Sequence, residues 1–260
     1  MREAPGGKMI KIKSSREIAL MREAGKIAAG ALKLAGSLSN PGVSTKMIDT
    51  RVREYIMKNG ANPSFLGYQD FPASACISVN NEVIHGIPSP DVVLAEGDLV
   101  KIDIGAYYKG FHGDCAESFY CGGREAMSEQ ALRLADVTRR CLSEALKKAA
   151  VGFRVGDISS AIQITAENAG YSPVRKFIGH GVGASLHEQP EIPNFGRAGK
   201  GPRLFPGMTL AIEPMINAGT CDVIILGDKW TVVTKDGALS AHYEHTVLIT
   251  EDEPEILTCT

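Results

Sequence analysis

The segment 99–121 reads LVKIDIGAYYKGFHGDCAESFYC and decides the fold of this chain. Apolar residues alternate with others along 99–107, a pattern typical of a β-strand with one buried face. Lys109 and Gly110 reverse the chain, and 111–121 returns as a second strand. A long antiparallel hairpin is therefore predicted.

Two aspartates lie on one face of this hairpin. Asp103 alternates with apolar neighbours, so its side chain points to the face opposite theirs. A turn at 109–110 pairs Asp114 with Gly105, which makes the two carboxylates diagonal neighbours on one face. Like charges this close repel unless a proton or a cation lies between them. The pair indicates either a solvated strand face or a metal site.

Two glutamates and a histidine in the second half of the chain extend this set. Glu213 ends the apolar run 209–212, Glu244 precedes another apolar run, and His180 lies among glycines in 177–183. Buried acids are rare unless they are paired or bound to metal, whereas a lone histidine is more often a hydrogen-bonded core residue. Together, the four acids and the imidazole suit two divalent ions, with manganese, iron or cobalt favoured and hydrolysis as the chemistry.

Helices and strands follow one another in the same order twice. Helices are predicted from a capping box at Ser14 to a stop at Asn40, from Ser44 or Thr45 to Asn59, over about 128–148 and over about 157–168. Strands are predicted over 75–79, 99–107, 111–121, 208–217, 230–233 and 243–250.

An offset of 110 residues aligns the two copies without a gap from Gly42 to Asp103. It matches Gly42, Ile48, Gly60, Pro63, Gly97 and Ile102 with Gly152, Ile158, Gly170, Pro173, Gly207 and Ile212, and Asp103 with Glu213. Shared helix and turn patterns are one explanation. The other is a duplicated α+β unit in which each half contributes a carboxylate to a central cleft.

The composition is that of an ordinary globular protein. The chain has 260 residues, 44% of them hydrophobic, and a formal charge of −2, which argues against a nucleic-acid-holding or membrane-coating role. No signal peptide or membrane-spanning apolar run is visible. Its six cysteines form no C-x-x-C pair, so reduced thiols and a cytoplasmic location are expected.

In this order and spacing, the motifs resemble those of type I methionine aminopeptidases. They are CISVN at 76–80, HGIP at 85–88, KIDIG at 101–105, GD at 113–114, GHGVG at 179–183, HE at 187–188, IEP at 212–214, LSA at 239–241 and YEHT at 243–246. The resemblance covers about 9–255. It implies the pita-bread fold, with pseudo-two-fold halves around a central antiparallel sheet. It also implies removal of the initiator methionine from nascent proteins, with a small second residue preferred.

The resemblance also assigns roles to individual residues. The metal ligands it implies are Asp103, Asp114, His180, Glu213 and Glu244. The implied catalytic residues are His85, His187 and Glu213. The implied methionine pocket comprises Tyr68, Phe71, Cys76 and Trp230 with His85 and His187, and Leu186 lies beside it. Asn80, Glu82 and Ser240 are implied ligands of a sodium or potassium ion. Zinc and nickel remain alternatives for the divalent pair, and no role is assigned to His242 or His245.

A tail over 1–8 and one catalytic domain over 9–260 are expected, with internal halves of about 9–121 and 122–260. The expected partners are nascent amino termini, with a transient ribosome contact. Neither nucleic acid nor membrane is expected to bind, and a monomer is expected.

Two other functions are compatible with the same motifs. An Xaa-Pro peptidase would share the fold and metals, but such relatives usually carry a large amino-terminal domain. A non-catalytic binding protein would share only the fold, and such proteins are recognised by missing ligands, whereas all five ligand positions are filled here.

Overall fold

The computed structural model describes residues 2–3 and 9–259. The helices are α1 (Ser15–Leu38), α2 (Thr45–Lys58), α3 (Glu129–Leu146) and α4 (Val155–Asn168). The strands are β1 (Arg2–Glu3), β2 (Met9–Ile10), β3 (Asn62–Pro63), β4 (Cys76–Val79), β5 (Glu82–Ile84), β6 (Leu99–Tyr108), β7 (Phe111–Tyr120), β8 (Ser172–Pro173), β9 (Gly179–Gly181), β10 (Glu188–Ile192), β11 (Thr209–Ile212), β12 (Met215–Asn217), β13 (Val223–Ile225), β14 (Val232–Thr234), β15 (Ser240–His242), β16 (Glu244–Leu248) and β17 (Glu255–Ile256). Most of the predicted tail over 1–8 lies outside the described residues, although β1 pairs with β2.

The predicted hairpin is the centre of the largest sheet. β6 and β7 pair along their whole length, and Asp114 lies opposite Gly105 as predicted. The strand order is β10-β9-β11-β16-β7-β6-β3, with β4 also paired with β6 and β17 with β16. β7 and β16 are the central neighbours, joined by the pairs Ala116–Glu244 and Cys115–His245.

Helices cover one face of this sheet. The opposite face, to which Asp103 and Asp114 point, is free of helices in the described part of the chain. Ser14 caps α1 in a complete capping box with Glu17, as predicted. Alanines and a glycine line the buried face of α1, so the helix lies very close to the hairpin. A side chain at Gly113 would collide with the α1 backbone at Gly25. One core cluster packs between α1, α2 and the hairpin, and another packs beneath α3 and α4.

The 110-residue repeat is present in three dimensions. α2 and α4 are related by this offset, as are β3 and β8. The amide of Thr45 donates to the Val92 carbonyl at 2.9 Å, and that of Val155 donates to the Pro202 carbonyl at 3.0 Å. The matched turn glycines also share left-handed backbone, with φ of 89° at Gly97 and 85° at Gly207. Since these hydrogen bonds recur at the same offset, the duplicated α+β unit is the correct explanation.

The ungapped alignment, however, is wrong for one pair of strands, β4 and β9. Ser78 of β4 pairs with Lys101 in the first half, whereas His180 of β9 pairs with Ala211 in the second. Lys101 and Ala211 differ by 110 residues, but their partners differ by 102. The partner strand is therefore shifted by eight residues between the halves, although the strands that it pairs with keep the offset.

The single strand predicted over 208–217 is also wrong. It is divided into β11 and β12, which belong to different sheets. Glu213 and Pro214 lie between them, and proline cannot donate the hydrogen bond that a continuous strand requires. The break places Glu213 where the chain leaves the central sheet. Several short strands had not been predicted: β5, β9, β10, β13 and β15.

Within the described part of the chain, none of the helices combines the length and the apolar character needed to cross a bilayer.

Candidate metal centre

Five acidic and imidazole side chains converge on the face of the central sheet opposite the helices. Ligand atoms of Asp114, His180 and Glu244 all lie within 4.8 Å of one another. His180 Nε2 lies 3.4 Å from Glu213 Oε1. Asp103 lies two residues from Gly105, the partner of Asp114 across the hairpin, and lines the same cavity as the other four residues. The structure therefore brings together all five residues of the predicted ligand set.

Three buried carboxylate oxygens in this cluster have no hydrogen-bond partner among the described residues. They are Asp103 Oδ1, Asp114 Oδ1 and Glu244 Oε1. Asp114 and Glu244 are only 4% and 2% exposed. Leaving such atoms without a partner is costly, because burial removes the water that would hydrate them. A bound cation would satisfy them, so the residues present fit a divalent metal centre.

The charge of the cluster points to the same chemistry. Burial raises the pKa of Asp114 to about 7, although hydrogen bonds from Asp103 and the Cys115 amide oppose this shift. Burial, followed by the neighbouring carboxylates, raises the pKa of Asp103, Glu213 and Glu244 well above the usual range. A bound cation would reverse these shifts, because it supplies the missing positive charge.

His180 is held in the tautomer that a metal ligand needs. Its Nδ1 lies 2.9 Å from the Gly181 carbonyl, which accepts only, so Nδ1 carries the proton and donates it. Nε2 is left with a free lone pair facing the carboxylates. Burial lowers the pKa of His180 to about 3, which keeps the ring neutral.

The glycines on either side of His180 are required by close backbone contacts. A side chain at Gly179 would collide with the Ala211 carbonyl, and one at Gly181 with the Gln189 carbonyl. The glycines allow the strands on both sides of β9 to approach closely, and this approach fixes where His180 lies.

A cavity of about 370 Å³ opens directly above the carboxylates. Its lining comprises Phe65, Tyr68, Gln69, Phe71, Cys76, His85, Asp103, Asp114, His180, Leu186, His187, Glu213, Trp230 and Glu244. All the predicted ligands, catalytic residues and methionine-pocket residues are among them. The cavity is thus polar at its floor and apolar on one side.

The apolar side is a small aromatic cluster. Phe71 and Trp230 meet edge to face, with ring centroids 5.0 Å apart. Cys76 and Leu186 complete the wall and are buried. Phe65 also belongs to this cluster, although sequence reasoning did not select it. These side chains form a narrow pocket for an apolar group next to the carboxylates.

Two further histidines face the cavity. His187 lies at its exposed rim, with Nδ1 2.7 Å from the Tyr68 hydroxyl and its ring centroid 4.2 Å from that of His180. His85 has left-handed backbone, with φ of 58°, and its ring packs edge-on against Phe177 and Trp230. Burial lowers the pKa of His187 and lowers that of His85 to about 4. Both rings are therefore neutral at physiological pH.

His242 had been given no role, yet it lies next to the cluster. Its Nε2 is buried 3.8 Å from Glu213 Oε2. Burial lowers the pKa of His242 to about 3, and His85 and Lys101 add to this effect. His245, by contrast, contacts the Thr258 hydroxyl at 3.0 Å. Both histidines flank Tyr243 and Glu244 in one short motif, so the sequence does not distinguish their environments. The tertiary structure does.

The residues predicted to bind a monovalent cation lie together beside the centre. The Asn80 carbonyl accepts from the Ser240 amide at 3.1 Å, and the Glu82 carboxylate accepts from the Val79 amide at 2.7 Å. Lys101 also donates to the Asn80 carbonyl, at 2.7 Å. Burial lowers the pKa of Lys101 to about 7, while the carboxylates of Glu82 and Asp98 oppose that shift.

Comparisons with known proteins agree with this geometry. The model of Metallopeptidase family M24 matches residues 19–251. A methionine aminopeptidase of Clostridium acetobutylicum is 49% identical over 250 residues, covering 96% of this chain and 99% of that protein. The crystal structure of a methionine aminopeptidase from Thermotoga maritima matches with a TM-score of 0.94 and 44% identity, covering 97% of this chain and 100% of that one.

A likeness to proline-specific relatives is weaker. The prolidase of Pyrococcus furiosus matches with a TM-score of 0.76 and 25% identity, covering 96% of this chain but 65% of that one. These structural matches confirm the predicted pita-bread fold. The resemblance to type I methionine aminopeptidases is confirmed as well, by relatives that match at almost full length on both sides. Fold, carboxylate cluster and sequence together establish that the chain belongs to metallopeptidase family M24.

Proposed function

We propose that this chain is a methionine aminopeptidase that removes the amino-terminal methionine of nascent proteins and peptides in a metal-dependent hydrolysis. The observation that carries the proposal is the position of the buried, unpartnered carboxylates directly beneath an apolar cavity of about 370 Å³. The M24 family match and the methionine aminopeptidases at about half identity support it.

We propose that two divalent ions bind among Asp103, Asp114, His180, Glu213 and Glu244. Oxygen ligands with one imidazole favour manganese, iron or cobalt, with zinc and nickel as alternatives. When bound, the ions would supply an activated water at neutral pH and polarise the scissile carbonyl. All other steps belong to side chains of the chain itself.

His187 is proposed to stabilise the oxyanion. In the tautomer in which Nδ1 accepts from the Tyr68 hydroxyl, Nε2 carries the proton and is free to donate into the cavity. A donor at the scissile carbonyl oxygen gains most as negative charge develops there in the transition state. His187 is exposed at the rim, where the substrate chain must pass.

Glu213 is proposed to carry the proton. Its carboxylate lines the cavity beside His180, where it could take a proton from the attacking water and return it to the leaving amide nitrogen. His85, neutral and wedged between Phe177 and Trp230, is proposed to orient the substrate amide.

The specificity follows from the shape of the cavity. The wall formed by Tyr68, Phe71, Cys76 and Trp230 suits an unbranched apolar side chain such as that of methionine. A preference for a small second residue is proposed from the similarity to the methionine aminopeptidases. Only one side chain enters, and the rest of the substrate is left intact.

The remaining proposals concern the setting of the enzyme. All proposed site residues come from this one chain, which supports activity as a monomer. The proposed catalytic domain is 9–260, with halves meeting at β7 and β16. Initiator methionine is removed where chains emerge from the ribosome, so we propose a cytoplasmic location and transient contact there. We do not extend the proposal to a sodium or potassium ion, because Lys101 already donates to the Asn80 carbonyl.

The test uses apo-protein reloaded separately with manganese, anaerobic iron, cobalt or zinc, with metal content measured in each sample. Each form is offered Met-Gly-Met-Met and Ala-Pro-Ala. Release of free methionine from the first peptide alone is the expected result, and the rates rank the metals.

Cleavage before proline in the second peptide would instead favour an Xaa-Pro peptidase. No cleavage of either peptide, with metal verified in the protein, would favour a non-catalytic binding protein.

A further inference from the structure

Lys101 is the largest of the fully buried side chains in the described part of the chain, with 1% of its surface exposed. It lies on β6 two residues before Asp103, so both side chains share one face of the strand. Lysine is almost never buried to this extent unless specific groups replace its hydration. Its amino group has such groups: the main-chain carbonyl oxygens of Asn80, at 2.7 Å, and Leu99, at 3.2 Å.

The Asn80 carbonyl is part of a compact polar junction. It also accepts from the Ser240 amide at 3.1 Å, which ties the β4–β5 turn to β15. The carboxylates of Glu82 and Asp98 attract Lys101 and favour its charged form. The Asn80 side chain is itself fixed, since it donates to Asp98 at 2.7 Å. Negative carboxylates and an inward-facing carbonyl oxygen form an environment that requires one positive charge.

We propose that the Lys101 ammonium group is a built-in cation that takes the place of the monovalent metal ion expected among Asn80, Glu82 and Ser240. The residues do not fit an additional ion, because the carbonyl oxygen that would coordinate it already receives the lysine. The amino group of Lys101, when protonated, carries the same single charge as sodium or potassium, and its attachment to β6 does not depend on the salt in solution.

The location makes Lys101 a positioning residue for the active centre. On one side, β6 continues from Lys101 to Asp103. On the other, the turn at Asn80 leads through β5 to His85. The ammonium group therefore fixes the distance between a proposed metal ligand and a residue proposed to orient the substrate. The inference about cation binding stands independently of the proposed peptidase activity, because it concerns the turn and not the reaction.

The experiment compares the manganese-loaded wild type with Lys101→Ala in sodium, potassium, methylammonium and choline chloride at constant ionic strength. Lys33→Ala, which removes an exposed lysine from α1, is the matched control. Two readouts do not require activity: the thermal midpoint, and sodium-23 line broadening, which reports bound sodium. The ratio kcat/KM with Met-Gly-Met-Met is measured in parallel.

The wild type and Lys33→Ala are expected to show no saturable sodium broadening and the same Tm in all four salts. In choline, Lys101→Ala is expected to have a lower Tm than the wild type. In sodium, potassium or methylammonium its Tm is expected to rise by about 5 °C and to level off as the salt concentration increases, because the truncated side chain leaves a site for a small cation. Its kcat/KM is expected to recover with the same midpoint. A purely structural lysine would not be replaced by a dissolved ion.

Saturable sodium binding by the wild type would overturn the proposal, and so would a folded Lys101→Ala that does not respond to any small cation. If Lys101→Ala does not fold, the wild-type measurement decides alone: sodium binding overturns the proposal and its absence supports it. Loss of peptidase activity in every sample, with these binding results unchanged, would count against the proposed function only.

Discussion

Ser118 and Thr246 make equivalent hydrogen bonds across the seam between the two halves. The Ser118 hydroxyl donates to the His242 carbonyl at 2.9 Å and accepts from the His242 amide at 3.0 Å. The Thr246 hydroxyl donates to the Asp114 carbonyl at 2.8 Å and accepts from the Asp114 amide at 3.0 Å. The pair Ala116–Glu244 lies midway between them, so the local pseudo-two-fold axis passes there. Asp114 and His242 are therefore symmetry-equivalent positions.

Replacing Thr246 by valine should weaken the metal centre. The change leaves the buried amide and carbonyl of Asp114 without partners, at a cost of about 1–3 kcal/mol in the free energy of unfolding. Urea unfolding measures this cost, and metal titration followed by dialysis measures retention. Ser118→Ala breaks the equivalent bonds at His242 and is the matched control. It should cost a similar free energy but retain more metal, because His242 is not a proposed ligand. Equal metal retention in both variants would contradict this assignment.

His187→Ala should lower turnover while the bound metal is unchanged. The lost Nε2 donor stabilised the oxyanion, and removing one such donor typically reduces kcat by about 10²–10³-fold. Steady-state kinetics with Met-Gly-Met-Met and metal analysis of the same sample check this. Tyr68→Phe, which removes only the hydroxyl that contacts Nδ1, should have a smaller effect. If His187→Ala loses its metals, the residue is a ligand and not a donor.

The stability that the carboxylates of the centre give to the apo-protein should decline as the pH rises. The carboxylates of the centre have folded-state pKa values above their unfolded ones, so the folded state binds more protons. Their contribution to stability is complete below about pH 4 and is lost as the pH rises through about 7, the pKa of Asp114. Thermal unfolding of apo and manganese-loaded protein at several pH values tests this. The loaded protein should not show the decline. A decline of the same size in both forms would place its cause elsewhere.

The buried ion pair between Lys13 and Glu188 should contribute to both stability and turnover. Lys13 Nζ lies 2.8 Å from the Glu188 carboxylate, and both side chains are about 5% exposed or less. Lys13→Met leaves the carboxylate in place and should cost about 3 kcal/mol in the free energy of unfolding. It should also lower kcat, because Glu188 follows His187 directly.

The double variant Lys13→Met with Glu188→Gln is the control for that prediction. It removes both charges and should recover part of the lost stability. Burial raises the pKa of Glu188, but Lys13, the Ser185 amide and Lys11 together lower it below its usual value. The contribution of the pair should therefore disappear as the pH falls below about 4. An undiminished difference between wild type and Lys13→Met at pH 3 would contradict the ion-pair explanation.

The hairpin and its two aspartates were predictable because two local rules determine them. Strand side chains alternate, and the turn at 109–110 fixes the pairing of Asp114 with Gly105. The repeat was visible for a similar reason, since glycines with left-handed backbone recur at fixed offsets. These features need no knowledge of distant parts of the chain.

Other features depend on contacts between distant segments. The local pattern around Lys101 does not show that it is buried, because its partner carbonyl comes from the turn at Asn80. His242 and His245 have almost the same sequence context, but His242 ends β15 and His245 lies on β16, which belongs to a different sheet. Phe65 and Gln69 line the cavity from irregular segments that have no periodic pattern. Pro214 did carry a local signal, since its missing amide divides the strand predicted over 208–217.

The seam between β7 and β16 has a mechanical consequence. Two residue pairs and two hydroxyl groups join the halves there, whereas β6 and β7 are paired over ten residues. Asp103 and Asp114 come from one half, and His180, Glu213 and Glu244 come from the other. Ions bound among them would link the two halves, so the ligands proposed for hydrolysis would also stabilise the contact between the halves. Slower amide exchange along β7 and β16 would then report that the ions are bound.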